Sequence, residues 1–95
     1  DVPAEEVKTE TVSFTVQSLR LDAVTAGLFH VSRTTAAELI RLGSVSLNYV
    51  PCLHTDAAIR DGDVISVRGK GKGTVTDTGG RSRKDRIFVT AERRV

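Results

Sequence analysis

The sequence predicts an α+β domain in which two helices pack on a small, mostly antiparallel sheet of four to five strands. Apolar and polar residues alternate near both ends of the 95-residue chain, as they do in half-buried strands. Residues 19–42 instead repeat apolar residues at helical spacing. The length and a hydrophobic fraction of 39% allow one hydrophobic core, so we expect a single domain.

The first elements are predicted to be a strand and a short helix. Residues 9–17 alternate in polarity, which indicates a strand. The period changes at Ser18, and we expect a helix over about residues 19–26 with Ser18 as its N-cap. Gly27 stands near the expected end of this helix, because glycine often terminates helices. Residues 28–31 then form a short apolar connector.

A second helix is predicted over residues 33–42. Ser32 precedes it and is a preferred N-cap residue. Gly43 follows it, at the position where a left-handed C-cap glycine is common. Leu39 and Ile40 belong to the expected buried face of this helix. The two helices are therefore neighbours in sequence, joined by a short link.

The remaining chain is predicted to be strands and turns. A short strand over residues 44–48 runs into a tight turn at Asn48–Tyr49, because Asn tolerates a positive φ. Asp61–Gly62–Asp63 is a strong turn signal before a strand over residues 64–67.

The end of the chain contains glycine and basic residues. We expect a flexible basic loop at residues 69–73, a strand at 74–76, a polar loop at 77–86 and a final strand at 87–91. Residues 1–8 are acidic and lack periodicity, which is typical of a linker.

Positive charge is concentrated in the last third of the sequence. The whole chain has a net charge of +2, whereas residues 68–95 contain nine basic and three acidic residues, a net charge of +6. Such a distribution attracts polyanions, including nucleic acids. A surface that is basic only for solubility would have the same composition, so charge alone does not decide between these interpretations.

Composition and spacing argue against several functions. An aromatic fraction of 4% argues against rows of base-stacking side chains. The single cysteine, Cys52, excludes an intramolecular disulfide and a multi-cysteine zinc site. Cys52 and His54 lack the third member of a catalytic triad, and the glycine-rich segment lacks the spacing of a nucleotide-binding loop. No apolar run approaches the ~20 residues that span a bilayer. We therefore expect no catalytic residue, no metal and no cofactor.

The second helix offers a candidate anion-binding site. Helical spacing places Arg33 and Arg41 on one stripe away from the buried face. Ser32 and Arg33 stand at the helix N-terminus, where free backbone N–H groups and the helix dipole favour a phosphate. Arg20, at the start of the preceding helix, could join them. The competing interpretation is that Ser32 only caps the helix and Arg33 only increases solubility.

Five short motifs stand in a specific order between Arg20 and Arg68. They are Arg20-Leu21-Asp22, Ser32-Arg33, Leu39-Ile40, Gly43-Ser44-Val45-Ser46-Leu47-Asn48 and Asp61-Gly62-Asp63-Val64-Ile65-Ser66-Val67. This composite covers about half the chain and resembles the S-four RNA-binding domain, named after small-subunit ribosomal protein four. The resemblance implies a two-helix αL motif on a small sheet. It also implies an RNA-binding domain at residues 9–95, with a core motif at 19–68 and a basic β-hairpin extension at 69–95.

The same resemblance implies which side chains contact RNA. Those expected at phosphate or sugar are Arg20, Ser32, Arg33, Thr34 and Arg41. Asn48 would hold the adjoining turn. Asp22 would orient Arg20 or the helix start, because a carboxylate repels phosphate. The family often has glycine where Tyr49 stands and a basic residue where Thr34 stands.

The flanking segments narrow the resemblance. A preceding strand, and the run Val67-Arg68-Gly69-Lys70-Gly71, are similar to the C-terminal domain of the YlmH-like family, which includes the photosystem II S-four proteins of cyanobacteria and plastids. This similarity implies a ribosome-associated factor that binds large-subunit RNA and tRNA during quality control of stalled nascent chains. It implies a domain upstream, a monomer with no membrane partner, and a location in the bacterial cytoplasm or the plastid stroma.

We therefore expect a non-catalytic module that binds structured ribosomal or transfer RNA through phosphate and shape. Besides the helix pair, a second phosphate-binding surface is expected at Arg68, Lys70 and Lys72, with flexible reinforcement from Arg81, Arg83, Lys84 and Arg86. One alternative is the RNA-docking appendage of a pseudouridine synthase, an RNA methyltransferase or a tyrosyl-tRNA synthetase. Another is a protein-interaction domain for an acidic partner. The leading hypothesis requires the helix-pair arginines to share one side of the molecule and not to be occupied by acidic neighbours.

Overall fold

The computed structural model describes residues 9–81 and 86–94 of the protein. The elements in chain order are β1 (Thr9–Val16), α1 (Leu21–Phe29), α2 (Arg33–Arg41), β2 (Val45–Leu47), β3 (Val50–Pro51), β4 (Val64–Val67), β5 (Gly71–Arg81) and β6 (Ile87–Arg94). The strands form one sheet in the order β1-β6-β5-β4-β2-β3, and each neighbouring pair is antiparallel. The α+β prediction is confirmed, with six strands in the described part instead of four to five. The predicted linker at residues 1–8 lies outside the described residues.

Both helices pack on one face of the sheet, which we call the helix face. Fully buried Leu28 of α1 and Ile40 of α2 join Ile65 and Val89 from the strands in one hydrophobic cluster. Each such side chain contributes roughly 1.5–3 kcal/mol by leaving water. Alternate strand residues, among them the exposed Thr11, point to the other side. That open face is covered by no element within the described residues.

The first helix differs from the prediction at both ends. Its N-cap is Arg20, whose side chain makes no capping bond, so Ser18 does not cap it. The helix continues through Gly27 and ends at Phe29, and His30 follows in the left-handed conformation with a φ of 58°. Gly27 lies inside the helix. A Cβ atom at this position would be 2.3 Å from Cδ2 of Phe14, so a larger residue would clash with β1. This glycine allows α1 to approach β1 and does not end the helix.

The second helix agrees with the prediction, apart from ending one residue earlier. The Ser32 side chain accepts a hydrogen bond from the backbone N–H of Thr35, as an N-cap residue does. Leu42 is the C-cap, and Gly43 follows with a φ of 79°. The N–H of Ser44 donates to the carbonyl of Leu39, which satisfies one of the last carbonyls of the helix.

The longest difference concerns the predicted basic loop and the polar loop after it. β5 begins at Gly71 and continues to Arg81, so only residues 68–70 turn the chain between β4 and β5. Gly73 is required for packing, since a Cβ atom there would lie 2.7 Å from Cδ2 of Leu28. Register shifts interrupt the β5–β6 pairing on either side of Asp77. The second shift, between Asp77 and Gly80, lies where the sequence predicts a loop, and the first lies at the end of the predicted strand at residues 74–76.

Candidate nucleic-acid interface

Two arginines, one at the N-cap of α1 and one at the start of α2, meet on one carboxylate. Arg20 donates through Nε to Oδ1 of Asp22 and through Nη2 to Oδ2, both at 3.2 Å. Arg33 donates through Nη2 to both oxygens of Asp22 at 3.3 Å. The Asp22 side chain is only 9% exposed, whereas those of Arg20 and Arg33 are 41% and 53% exposed. The carboxylate therefore fixes the two guanidinium groups from below, while the groups themselves remain in contact with solvent.

The start of α1 holds Asp22 in position. The N–H groups of Leu21 and Asp22 donate to the carbonyls of Ala57 and Thr55 at 2.9 and 3.0 Å. Oδ1 of Asp22 accepts from the N–H of Ala23 at 2.7 Å. These bonds occupy the first amides of α1, so the N-terminus of this helix is not an open anion site.

The start of α2 is different. The first N–H groups of a helix have no partner within the helix. Ser32 satisfies that of Thr35 at 3.0 Å, whereas those of Arg33 and Thr34 have no hydrogen-bond partner among the described residues. Both residues are exposed. The amide end of α2 is therefore open beside the two clustered arginines.

A shallow depression of about 370 Å³ lies next to this helix start. It is lined by Asp22, Arg33, Thr34, Ala37 and Arg41. The small side chain of Ala37, one turn after Arg33, leaves room between the two arginines of α2. Of the five residues that the sequence analysis assigns to the helix pair, Arg33, Thr34 and Arg41 line this depression. Ser32 caps the same helix, and Arg20 is joined to Arg33 through Asp22.

The net charge of this surface stays positive. Arg20, Arg33 and Asp22 together carry +1, and Arg41 raises the sum to +2. Asp22 uses one nitrogen of Arg33 and two of Arg20, so each guanidinium keeps N–H groups that point elsewhere. The arginines share one side of the molecule, as the hypothesis requires. The condition on acidic neighbours is met only in part, because Asp22 occupies one edge of each.

Arg33 also borders a second depression, of about 480 Å³, between β1 and α1. Arg86 lies on its far rim and donates to the Thr15 hydroxyl at 3.0 Å and to the Thr15 carbonyl at 3.1 Å. The guanidinium of Arg86 thus contacts β1 through Thr15, and its flexibility stays a prediction. Arg83, Lys84 and the side chain of Arg81 lie outside the described part of the chain.

Asn48 stabilises the turn between β2 and β3 and the start of β4. Its amide donates to Asp63 at 3.1 Å, and its side-chain oxygen accepts from the N–H of Val64 at 2.9 Å. Its role in holding the turn agrees with the expectation, and both ends of its side-chain amide are engaged with the protein.

The second predicted surface is distributed over the β4–β5 turn and the open face of the sheet. Arg68 and Lys70 are exposed at the turn between β4 and β5. Lys72 follows on β5 and points to the open face, since the adjacent Gly73 faces Leu28. The Nζ atom of Lys72 lies 3.4 Å from the hydroxyl of Tyr49. Lys72 is thus separated by the sheet from the helix-pair arginines.

Sequence reasoning gave no structural role to Arg93. Its Nη1 donates to the carbonyl of Leu28 at 3.1 Å, and its Nη2 forms an ion pair with Glu10. The side chain is 18% exposed. Arg93 therefore ties the end of α1 to β1 and β6. The opposite charges of Glu10 and Arg93 were visible in the sequence, but their pairing depends on the β1–β6 register.

The described residues give no support to a metal site, a membrane span or a catalytic cysteine. These residues contain no group of three His, Cys, Asp or Glu side chains arranged to hold a metal ion. Their helices are too short and too polar to span a bilayer. The Cys52 thiol is directed at the backbone carbonyl of His54 at 3.9 Å rather than at its ring, which gives no support to a catalytic pair.

Comparison with known proteins shows similarity to a ribosome-associated protein. No protein-family model matches the sequence. The chain is 37% identical over 93 residues to the ribosome-associated protein quality control protein P2 of Bacillus subtilis, a match that covers 98% of this chain and 35% of that protein. The chain thus spans about a third of the length of this relative. A crystal structure of a pseudouridylate synthase is similar with a TM-score of 0.53 and 27% identity, over 62% of this chain and 24% of that one.

Proposed function

We propose that the chain is a non-catalytic RNA-binding module of the S-four type within a ribosome-associated factor. The similarity to a ribosome-associated quality control protein over nearly the whole chain supports the association with the ribosome. The module binds structured RNA, ribosomal or transfer, through its phosphates and its shape.

The observation that carries this proposal is the arginine pair held on Asp22 beside the open amides of α2. A guanidinium can bind a phosphate through two parallel N–H bonds. Backbone N–H groups at a helix start favour the same ligand. Arg20 and Arg33 project toward solvent from a fixed base, and Arg41 borders the adjoining depression. Folded RNA presents phosphates at fixed spacings, which a rigid set of cations matches better than mobile side chains.

The test is the affinity of the chain for a fluorescently labelled transfer RNA and a labelled ribosomal RNA hairpin, measured by anisotropy across a salt series. With about five phosphate contacts at a slope near −0.7 each, log affinity should fall by roughly 3–4 per decade of salt. Affinity that is insensitive to salt would contradict phosphate binding.

A pair of variants with the same charge change locates the surface. Arg33→Ala should weaken binding roughly tenfold and reduce the salt slope by about 0.7. Arg60→Ala removes the same charge from an exposed position that belongs to neither predicted binding surface and should have a much smaller effect. Arg93 is unsuitable as this control because of its bonds to Leu28 and Glu10. Equal losses for the two variants would mean that the helix pair is not the binding surface.

A second candidate function is the RNA-docking part of an RNA-modifying enzyme. The similarity to part of a pseudouridylate synthase supports this alternative. The two proposals differ in what the rest of the protein does. Formation of pseudouridine in RNA by the full-length protein would favour the enzyme, whereas co-sedimentation with ribosomes without modification of their RNA would favour the non-catalytic factor.

A further inference from the structure

We infer that the ring of Tyr49 stacks on an unpaired RNA base, at a contact separate from the helix-pair surface. This inference rests on the proposed RNA-binding function and adds to it a preference for RNA with unstacked bases. It concerns one ring and not a row of stacking platforms. The argument comes from the backbone of the β2–β3 turn, the exposure of the ring and the position of Lys72.

The turn between β2 and β3 holds Tyr49 in a conformation that glycine prefers. Leu47 pairs with Val50, which leaves a two-residue loop. Both loop residues have a positive φ, 54° for Asn48 and 71° for Tyr49. Such loops prefer Asn at the first position and Gly at the second. A bulky side chain at the second position is therefore unfavourable for folding, and unfavourable conformations of this kind concentrate at functional sites.

Packing of the Tyr49 ring does little to offset this unfavourable backbone conformation. Tyr49 is 66% exposed and does not belong to the hydrophobic cluster of the core. Asn48, by contrast, offsets its own conformation with two side-chain hydrogen bonds. The fold therefore does not explain why a large aromatic side chain occupies this position.

The ammonium group of Lys72 lies over the ring. Its Nζ lies 5.2 Å from the ring centroid and 3.4 Å from the hydroxyl. An ammonium at one side of an aromatic ring orients that ring and attracts a phosphate, while the exposed side remains free for a planar group. Aromatic rings with an adjacent cation are the usual means of binding single-stranded nucleic acid, because every base has a face that can stack.

The direct test uses the unique chemistry of the ring. The chain contains one tyrosine and no tryptophan, so the aromatic NMR signals of Tyr49 can be identified from a Tyr49→Phe spectrum. Addition of a short oligoadenylate should move these signals upfield, as stacking under a base does. An abasic oligonucleotide of the same length supplies the phosphates without bases and should leave them nearly unmoved. Equal shifts with both probes, or no shift with either, would overturn the inference.

Variants separate binding from folding. Tyr49→Gly should raise the Tm, because glycine adopts this φ without strain. The same variant should bind oligoadenylate roughly five- to a hundredfold more weakly. Tyr49→Trp retains a stacking ring and should bind at least as tightly as the natural sequence. A lower Tm for Tyr49→Gly would overturn the argument from strain, and unchanged affinity would overturn the stacking itself.

The two proposals fail in different ways. If Arg33→Ala weakens binding of transfer RNA while Tyr49→Gly changes neither RNA binding nor the NMR response, only the stacking inference is wrong. If neither Arg33→Ala nor Tyr49→Gly affects any RNA, the proposed function is wrong as well.

Discussion

Replacing Asp22 with Asn tests whether the carboxylate positions the arginines. The substitution retains the shape of the side chain and removes its charge. Asp22 accepts five hydrogen bonds, two from Arg20, two from Arg33 and one from the N–H of Ala23. An amide can still accept from Ala23, but its NH₂ group would face guanidinium donors, so one or more of the arginine contacts is lost.

The expected loss of stability in Asp22→Asn follows from the exposure of Arg20 and Arg33. Hydrogen bonds to charged groups contribute about 1.5–3 kcal/mol each when well buried. Arg20 and Arg33 are 41% and 53% exposed, so solvent screens much of this interaction and the expected loss of stability is about 1–3 kcal/mol in total. For a domain of this size, each kcal/mol lowers the Tm by roughly 4–8 °C. Thermal unfolding followed by circular dichroism measures the change.

The RNA affinity of Asp22→Asn then distinguishes a positioning role of Asp22 from the effect of the changed net charge. Asp22→Asn makes the chain more positive by one unit, so electrostatics alone predicts tighter binding. If Asp22 positions the arginines, affinity should instead fall about three- to tenfold at a temperature where the variant is folded. Glu92→Gln changes the charge equally at an exposed position on the open face and serves as the control. Binding by Asp22→Asn that is as tight as binding by Glu92→Gln would refute the positioning role.

Two further predictions concern the contacts that hold α1 on the sheet. Arg93→Ala should lower the free energy of unfolding by about 1–3 kcal/mol, because the Leu28 carbonyl and Glu10 lose their partner. The RNA affinity of the folded variant should be nearly unchanged. An unaltered melting curve would contradict the structural role of Arg93. Gly27→Ala should lower the free energy of unfolding measured in urea. Alanine favours a helix over glycine by about 1 kcal/mol, but overpacking against Phe14 costs about 1–3 kcal/mol. Adding Phe14→Leu should recover part of that loss, and a Gly27→Ala variant more stable than the natural chain would be incompatible with the close approach.

Local sequence signals predicted the parts of the fold that local contacts determine. Ser32 and Gly43 act within a few residues of themselves, and α2 was predicted almost to its ends. Gly27 and Gly73 were interpreted as a helix end and a flexible loop. In the structure they are places where Phe14 and Leu28, distant in sequence, approach the backbone. A glycine that makes room for another element looks the same in sequence as a glycine that bends the chain.

In the candidate site, too, local features could be predicted from the sequence, whereas contacts between distant residues could not. The arginines and Ser32 could be proposed from helical spacing and from the family resemblance. Asp22 was expected to orient Arg20 or the helix start, and it contacts both Arg20 and the N–H of Ala23. Its bonds to Arg33 could not be predicted, because they join residues eleven positions apart on two helices. The direction of Lys72 likewise depends on the strand pairing of β5, whereas the sequence predicted a loop at residues 69–73.

A buried carboxylate at the centre of a cationic surface reduces its charge, so the arrangement is not the one that maximises attraction to any polyanion. What the carboxylate provides instead is a fixed position for the two guanidinium groups. An exposed arginine loses much side-chain freedom when it binds a phosphate, at a cost of roughly 1–2 kcal/mol for each chain ordered. In the proposed interface, Asp22 restricts Arg20 and Arg33 in advance of RNA binding and leaves part of each guanidinium available. Non-specific affinity depends on the number of charges, whereas discrimination among folded RNAs depends on where the charges stand. A surface that gives up one unit of charge to fix two guanidinium positions is therefore suited to recognising the shape of an RNA rather than its charge.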